Sequence, residues 1–556
     1  MSARIYPEVI SLVGDRPGKP MAVGAYDGAD RRNRDIATWQ PVLRSADVEI
    51  DEAKLMGDAR SRDAQRNDAY MRGGLNFGRD SIVGGMFLLN SKPDYSVLGL
   101  DETWAEEYSA EVETKFTLWA ESINCWVDAS RMNTFTGLIR LAVGIFGVGG
   151  EVLASVEWLR DGGATRPFST AIQMIDTDRL SNPNGEMNTK LLRNGVVKNG
   201  FGAPQGYHIR RAHPVDFYDP DSWQWDYVPI RKPWGRLQMI HIIEQTRASQ
   251  TRGISDLISA LKEHRMTKRF RDVVLQNAVV NSSYAASVES ELPTDQVFTA
   301  LGGSTSPEAW AEAARDYGVG FLGTIEEYAK GAAGLVLDGV RIPHLFPGTK
   351  LNLHPAGKGG PLGTEFENSL LRYLSASLGI SYEEFSNDYS KSNYSSIRAA
   401  MSKTWKTMQS RKRMVADRFA SIIFRLWLEE AINAGEITTL TSSAPNFYEG
   451  LNSDAYSTCE WVGASRGQID ELKETQAAVL RIQQKLSTRE EELGRLGKDW
   501  RKVLAQQARE QREMERLGLA VEASNALNAL GSGSDPNASN ADGTSNTGTN
   551  NQDQAA

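Results

Sequence analysis

The most informative run in the chain is residues 364–398, TEFENSLLRYLSASLGISYEEFSNDYSKSNYSSIR. Apolar residues at helical spacing predict a helix from Thr364 to Leu378. Residues 386–396 then hold almost no large apolar side chain, which predicts a polar loop, and another long helix is expected over about 396–435. A polar loop between two long helices adds little to a hydrophobic core, and loops of this kind are often functional.

The helix that follows this loop is basic. Nine basic residues fall between Lys391 and Arg425, against one acidic residue, Asp417. One interpretation is a solvated face, or a face that meets acidic residues of a neighbouring subunit. The other is that some of these side chains contact a polyanion. The spacing spreads the charges around the helix instead of along one stripe, which weakens the second interpretation.

A second long helical stretch precedes this region, over residues 253–283. Ser255 is a plausible N-cap, and 31 residues of helix would span about 45 Å, the length of a pillar. The first half is charged and the half from Val273 onward is not. Such a change is expected where one end packs in a subunit interface. The basic residues are Lys262, Arg265, Lys268, Arg269 and Arg271, against the acidic Glu263 and Asp272.

The first 150 residues are predicted to be an arm followed by helices. Residues 1–50 are mixed and are expected to form a loosely held arm. A charged helical pattern over 51–72 runs into Gly73 and Gly74, after which an apolar segment follows. Residues 102–150 carry two or three more helices, with one apolar stripe at helical spacing, formed by Trp104, Tyr108, Phe116, Trp119 and Ile123.

The rest of the chain alternates between β-rich and helical segments. Residues 151–245 predict a β-rich layer, with strands around 152–156, 172–175, 207–209 and 239–243. Residues 284–360 predict a small mixed unit, with a helix from Ser306 and a strand within 334–339. Residues 468–517 are charged and helical, with a break near 486–488, and the polar tail from Gly531 is expected to be disordered.

Composition excludes several classes of protein. The chain has 556 residues, 62 basic and 71 acidic, for a net charge of −9. A sequence-blind nucleic-acid coat protein should be basic overall, so that class is disfavoured, but a protein past which DNA slides is not. Two cysteines cannot form a disulfide framework, which favours a reducing compartment. The sequence shows neither a signal peptide nor a membrane-spanning run.

Motifs that carry chemistry are weak throughout. The six histidines are not paired at metal-ligand spacing, and HExxH, CxxC, Walker A and GxSxG motifs do not occur. Residues 318–323 match GxGxxG but follow a predicted helix, and the glycine-rich run 357–360 lacks phosphate-loop spacing. We therefore expect no catalytic residue, no cofactor site, no metal site and no enzymatic activity.

Four segments resemble the lambda-type portal proteins of tailed bacteriophages. The likeness is densest over 366–398, where Ser381 and Ile397 are conservative departures from the Pro and Ala of the family pattern. Residues 126–152 resemble the wing segment of the family, and residues 240–255 resemble the strand and turn that lead into a stem helix. Residues 346–355 resemble the exit from the clip.

The resemblance implies an α+β, mainly helical fold with the wing, stem, clip and crown of a phage portal. The implied division is 1–50 flexible arm, 51–252 wing, 253–283 stem helix, 284–360 clip, 361–383 second stem helix, 384–396 tunnel loop, 397–464 long wing helix and return segment, 465–520 helical crown and 521–556 disordered tail. It also implies that the arm is trimmed during maturation in some members.

The resemblance further implies a ring, typically of twelve copies, at one capsid vertex of the virion. Double-stranded DNA would pass through it without sequence recognition during packaging and ejection. The implied partners are the terminase large subunit, the major capsid or scaffold protein and head-tail connector proteins, with assembly in the host cytoplasm and no membrane. The implied site residues are the DNA-facing tunnel loop Asn387, Asp388, Tyr389, Ser390, Lys391, Ser392, Asn393 and Tyr394, and the stem residues Lys262, Arg265, Lys268 and Arg269.

Two other classes of function compete with this structural conduit. A packaging nuclease or ATPase would need a Walker motif or an acidic metal cluster, which the sequence does not display. A helical adaptor that binds only protein draws its support from residues 468–517, whose heptad pattern is poor. A mass corresponding to about twelve copies would favour the conduit, and a monomer or dimer would favour the other two.

Overall fold

The computed structural model describes residues 27–29, 34–160, 166–283, 335–337, 340–342, 364–441, 444–467 and 470–519. Several features predicted from the sequence fall on residues outside these ranges. They concern most of the arm, the helix from Ser306, the glycine-rich runs 318–323 and 357–360, and the tail 521–556. Within the expected clip, only a hairpin of two three-residue strands is described.

Two helices open the described core. Helix α1 (Ala46–Asn67) and helix α2 (Ala69–Val83) break at Asp68, whose carboxylate accepts a hydrogen bond from the Met71 backbone at 2.9 Å. The break is therefore not at the Gly73–Gly74 pair, through which α2 runs without interruption.

Three helices follow, namely α3 (Tyr95–Leu98), α4 (Glu102–Ala120) and α5 (Phe135–Gly149). The stripe predicted on α4 is confirmed for Tyr108, Phe116 and Trp119, which are almost completely buried. Ile123 does not belong to it, because α4 ends at Ala120 and the Ile123 side chain is 95% exposed.

The predicted β-rich layer consists of two antiparallel sheets. Strand β2 pairs with β3 on one side and β8 on the other, while β4, β5, β6 and β7 form a meander. The strands predicted around 152–156, 172–175, 207–209 and 239–243 are confirmed as β2, β3, β6 and β8. The bounds are β1 (Leu88–Ser91), β2 (Glu151–Trp158), β3 (Thr170–Ile175), β4 (Leu192–Arg193), β5 (Val196–Lys198), β6 (Pro204–Arg210), β7 (Trp225–Pro229) and β8 (Met239–Ile243).

The predicted pillar begins later than expected. The Ser255 hydroxyl accepts a hydrogen bond from the Leu257 backbone, as an N-cap does, and one tight 3-10 turn (Asp256–Ala260) leads into α6 (Leu261–Ser283). Gly253 stays outside the helix because its backbone N–H donates to Glu151 at 2.9 Å. The hairpin β9 (Leu335–Leu337) and β10 (Val340–Ile342) confirms the strand expected within 334–339.

The second half of the chain is mainly helical. The helix predicted from Thr364 to Leu378 is confirmed as α7, and the long helix after the loop continues through a π-helical turn at Lys412–Asp417. The break expected near 486–488 is confirmed by a capping box at Thr488, and a second break before Asp499 was not predicted. The bounds are α7 (Thr364–Leu378), α8 (Tyr382–Ser386), α9 (Tyr394–Arg411), α10 (Arg418–Asn433), α11 (Asn452–Ser457), β11 (Cys459–Val462), α12 (Glu471–Gln483), α13 (Arg489–Arg495) and α14 (Trp500–Arg516).

One aromatic cluster joins distant parts of the chain. Phe116 of α4 packs edge-on against Phe424 and Trp427 of α10, with ring centroids 5.4 and 5.2 Å apart. Trp461 of β11 contacts the same ring, and β11 pairs with β1. Helix α4 and the long helix after the loop therefore share one hydrophobic core. Among the described helices, none has both the length and the apolarity needed to cross a membrane.

Candidate functional site

A sharp helix end after α7 precedes α8 and the loop that joins α8 to α9. Gly379 closes α7 with φ of +70°, a conformation that favours glycine, and its backbone N–H donates to Ala376. A side chain here would also meet Thr407 of α9, because a Cβ on Gly379 would lie 2.8 Å from the Thr407 Cγ2 atom. The turn therefore sets the C-terminal end of α7 against α9.

Helix α8 anchors the first side of the loop. The Thr404 hydroxyl of α9 accepts from the Ser381 backbone at 3.1 Å and donates to Glu384 at 2.6 Å. Phe385 is buried against α2, with its ring 5.8 Å from that of Tyr70. Residues 384–386, expected to be part of the loop, are therefore helical, because Ser381 caps them and the burial of Phe385 holds them.

The loop proper, residues 387–393, is shaped by its own hydrogen bonds. Asn387 ends α8 in the left-handed region, with φ of +56°. The Asp388 carboxylate accepts from the Ser390 backbone at 3.1 Å and from the Ser390 hydroxyl at 2.6 Å, and these bonds lower the pKa of Asp388. The Ser392 backbone donates to Tyr389. The loop thus has a defined shape without support from a hydrophobic core.

The second side of the loop is fixed by a capping box. The Asn393 side chain accepts from the Ser396 backbone at 2.8 Å, and the Ser396 hydroxyl accepts from the Asn393 backbone at 3.1 Å. Helix α9 consequently begins at Tyr394, so that predicted loop residue is the first residue of a helix. The cap at Asn393 starts the helix two residues earlier than the expected Ser396.

The loop surface is exposed and electrically balanced. Tyr389 and Tyr394 are 45% and 48% exposed, and Lys391 is also exposed. Within the described part of the chain, Lys391 makes no hydrogen bond or ion pair. Asp388 and Lys391 give the loop no net charge. The loop therefore offers aromatic and hydrogen-bonding groups without a strong electrostatic field.

The predicted stem residues lie at a different place. Lys262, Arg265, Lys268 and Arg269 line a groove of about 940 Å³ between α1 and α6. Lys268 donates to the Asn67 carbonyl of α1. In the described structure no hydrogen bond or ion pair links these four residues to the loop. The structure thus does not bring the two predicted sets of site residues together.

The basic block from Lys391 to Arg425 divides into paired and unpaired residues. Arg411 bonds Asp256, Lys412 bonds Asp417, and Arg425 bonds Asp454. The exposed remainder, which has no ion pair among the described residues, is Lys391, Arg398, Lys403, Lys406, Arg413 and Arg418. Three of the nine charges thus hold the subunit together, and six are available to a partner or to solvent.

A buried charge cluster at the junction of α1, β2 and the turn before α6 was not predicted. Glu151 is fully buried, and its carboxylate accepts hydrogen bonds of 2.6 and 3.0 Å from the Arg252 guanidinium. The Lys54 ammonium lies 3.1 Å from the same carboxylate, and the His241 ring lies 3.2 Å from it. Burial alone would raise the pKa of Glu151, but Arg252 and Lys54 hold it well below its ordinary value. Its members are up to 198 positions apart, so no local sequence signal reveals it.

Among the described residues, one group of side chains has the composition and spacing of a cation site. Asp176, Asp178 and His213 bring a ligand atom each to within 4.8 Å of one another. The Arg62 guanidinium already bonds both carboxylates, at 3.3 Å to Asp176 and 2.9 Å to Asp178. The cluster is therefore an ion-paired network around Arg62, and it supplies no argument for a metal.

Comparisons with known proteins agree with the resemblance. The model of the family "Phage portal protein, lambda family" matches residues 32–412. Portal protein B of Escherichia phage lambda is 36% identical over 497 residues, and the portal protein of Escherichia phage N15 is 35% identical over 499 residues. Each alignment covers 89% of this chain and 91% of the relative.

Among solved structures, the neck of an empty gene transfer agent particle, computed with C6 symmetry, is similar at a TM-score of 0.36. The identity is 12%, over 84% of this chain and 97% of that chain.

The family model spans more than half of the chain, and two curated relatives exceed 30% identity over nearly their whole length. The resemblance to lambda-type portal proteins and the mixed, mainly helical portal fold are thereby confirmed. The protein is a structural virion component and not an enzyme. The chain belongs to the lambda family of phage portal proteins.

Proposed function

We propose that copies of this chain close into a ring, of about twelve subunits, that forms a channel at one capsid vertex. Double-stranded DNA enters through this channel during packaging and leaves through it during ejection. Family membership supports the role, and the loop at 387–393 is the single observation that carries the mechanism. It is exposed, electrically neutral, shaped by its own bonds and anchored on both sides by helices.

Such a loop suits a lining along which DNA must move. A channel lined by many cations would bind the phosphate backbone tightly and slow the passage of DNA. Tyr389, Lys391 and Tyr394 offer each subunit a few weak contacts to the backbone, without base readout. Ring symmetry repeats these contacts around the duplex, so that weak individual contacts retain DNA without locking it in place.

In this proposal the implied DNA-facing residues are Asn387 to Tyr394, with Lys391, Asn393 and Tyr394 nearest the bore. Helix α7, which precedes the loop, belongs to the stem together with α6 and its residues Lys262, Arg265, Lys268 and Arg269, and α9, which follows the loop, begins the long wing helix. Residues 284–360 form the clip, which docks the terminase large subunit during packaging and head-tail connector proteins afterwards. The wing meets the major capsid or scaffold protein, and assembly takes place in the host cytoplasm.

The loop is tested by shortening it without disturbing its anchors. Deletion of 386–394 would remove the Asn393 cap, so we replace residues 389–392 with two glycines and leave Ser386 and Asn393 in place. A second variant, Lys391→Glu, reverses the single cation of the loop. The matched control is Lys190→Glu, which reverses an exposed lysine near β4 that has no ion pair among the described residues.

Both loop variants should form rings in electron micrographs but package or retain less DNA, measured as nuclease-resistant DNA per particle. The control should package normally. Normal packaging by the shortened loop would refute the assignment of the loop, and a wild-type chain that never forms rings would refute the channel.

A further inference from the structure

Residues 214–221, Pro-Val-Asp-Phe-Tyr-Asp-Pro-Asp, form an exposed knob between β6 and β7. Val215, Phe217 and Tyr218 are 64%, 69% and 87% exposed. The knob has a defined shape, because the Asp219 backbone donates to Asp216 and the Asp219 carboxylate accepts from the Asp221 backbone at 2.9 Å. Apolar side chains on a preformed turn lose little entropy when a partner covers them.

The knob is also acidic. Asp216, Asp219 and Asp221 carry three negative charges, and within the described residues none of them has an ion pair. An apolar tip surrounded by unpaired carboxylates fits a cavity with an apolar floor and a basic rim.

The groove between α1 and α6 has this character. Met56 and Met266 contribute apolar surface and are both about half exposed. Of its charged residues, Glu52 is already paired with Arg44, and Asp63 accepts from the Asn67 amide. Five cations against two acids leave the groove a net charge of +3, and the cations are Arg60, Lys262, Arg265, Lys268 and Arg269.

Knob and groove lie on opposite sides of α1. The knob follows His213, which contacts Asp178 at 3.4 Å, and Asp178 bonds Arg62 of α1. Arg60 of α1 lines the groove. Arg62 follows two residues later, so its side chain leaves α1 about 200° away from that of Arg60, in a helix of 3.6 residues per turn. The knob of one subunit therefore cannot fill its own groove, and the two faces point away from each other.

We propose that the knob at 214–221 of one subunit docks into the α1–α6 groove of a second copy of this chain. A ring requires a heterologous contact, in which two different faces of the subunit meet, and these faces match in charge and in apolar surface. The contact rests on the proposed ring and identifies what joins one subunit to the next. It also gives Lys262, Arg265 and Arg269, which the resemblance assigns to the stem, a role between subunits.

The test is a charge exchange. The knob reversal is Asp216→Lys with Asp221→Lys, which spares the Asp219 cap, and the groove reversal is Arg265→Glu with Arg269→Glu. Each reversal alone should lower the fraction of ring at a fixed concentration at least tenfold, measured by mass photometry against the 61.3 kDa subunit. The two reversals combined in one chain should restore the ring. The matched controls are Glu186→Lys and Arg489→Glu, both exposed and unpaired in the described structure, and both should form rings.

A cysteine pair provides a test that does not depend on the reversals folding. Tyr218→Cys with Met56→Cys, in a chain whose Cys125 and Cys459 are replaced by serine, should cross-link assembled subunits into a ladder under mild oxidation. Rings that form normally with either reversal, or that show no such ladder, would overturn the docking and leave the channel intact. Loss of rings without rescue in the combined variant would also overturn it and assign the groove to another partner. Failure of the wild-type chain to form rings would instead refute the proposed channel.

Discussion

Arg252 illustrates how single side chains hold this subunit together. It lies before α6, is 5% exposed, and donates to Glu151 and to the carbonyls of Thr177 and Leu180. The two chain segments also approach closely through their backbones, because a Cβ on Gly253 would lie 2.1 Å from the Gly150 carbonyl oxygen. The segment that leads into α6 is therefore fixed to the start of β2 by a buried ion pair and by two glycines, Gly150 and Gly253, that permit the approach.

Removal of one partner of this pair should be costly. In Arg252→Ala the carboxylate of Glu151 stays buried while its principal counter-charge is lost, and such a change costs about 3–5 kcal/mol. We expect Arg252→Lys, which keeps the charge but not the paired hydrogen bonds, to lose less. Urea unfolding of the purified subunit measures both. A loss below about 1 kcal/mol for Arg252→Ala would contradict the role given to the cluster.

Glu111 gives a prediction about pH. Burial alone would raise its pKa, but Lys115 and the hydrogen bonds from Thr438 and Thr439 lower the pKa to about 2. A carboxyl whose pKa falls on folding stabilises the fold above its unfolded pKa of 4.5 and loses that contribution as pH falls towards 2. The melting temperature of Glu111→Gln should therefore be lower than that of the wild type at pH 7.

That difference should shrink between about pH 4.5 and pH 2, because the wild-type carboxyl becomes protonated and the two chains then resemble each other. Differential scanning calorimetry at pH 7 and pH 3 measures the gap. The control is Glu107→Gln on the exposed side of α4, whose melting temperature should follow that of the wild type at both pH values. A gap that stays constant with pH would contradict the explanation.

Between elements, the packing of α2 against the loop anchor depends on one glycine. A Cβ on Gly74 would lie 2.6 Å from Leu378 of α7 and 3.0 Å from Phe385 of α8, whereas a Cβ on Gly73 would meet nothing within 4 Å. Gly74→Ala should therefore destabilise the subunit by about 1–3 kcal/mol through overpacking. Gly73→Ala is the matched control and should stabilise α2 by up to about 1 kcal/mol.

Thermal unfolding of the two variants measures this difference in sign. Equal shifts for Gly73→Ala and Gly74→Ala would show that α7 and α8 do not pack against α2 as the structure has them.

Sequence patterns predict the elements of this protein well where an apolar repeat extends over many residues or where an N-cap side chain marks the start of a helix. Helix α7, strands β2 and β8 and the cap at Thr488 follow from apolar spacing and N-cap chemistry. The charged pattern over 51–72 runs past the break at Asp68, and the close packing at Gly74 involves Phe385, which is 311 positions away, so the sequence pattern indicated neither. The loop anchors at 384–386 were missed for the same reason, since Phe385 is buried only by tertiary packing.

The functional site shows the same limit. The loop itself was predicted from its lack of large apolar residues, and its neutrality follows from its composition. The division of the basic block was not predicted, since Asp256, Asp417 and Asp454 become partners of its residues only in the fold. The buried cluster around Glu151 likewise joins residues from four segments, and no spacing reveals it.

For the whole molecule, the shared core predicts which part of the chain folds without the rest. The core cluster of the described residues runs from Ala64 to Trp461 and includes no residue of α12, α13 or α14. Those helices are held instead by polar contacts, Glu490 with Asn90 and Lys92, and Arg501 with Glu113. Each contact is partly exposed, and pairs of this kind contribute about 0.2–1 kcal/mol.

A chain that ends at residue 467 should therefore keep its core. We expect its melting temperature to fall by no more than about 10 °C, because the three contacts together contribute at most about 3 kcal/mol and each kcal/mol shifts a large domain by about 2–4 °C. The control ends at residue 519 and keeps all three helices. Differential scanning fluorimetry compares the two, with near-ultraviolet circular dichroism to report the aromatic packing around Phe116. A fall of more than about 10 °C, or loss of the near-ultraviolet signal, would mean that α12, α13 and α14 are part of the folding unit and not an addition to it.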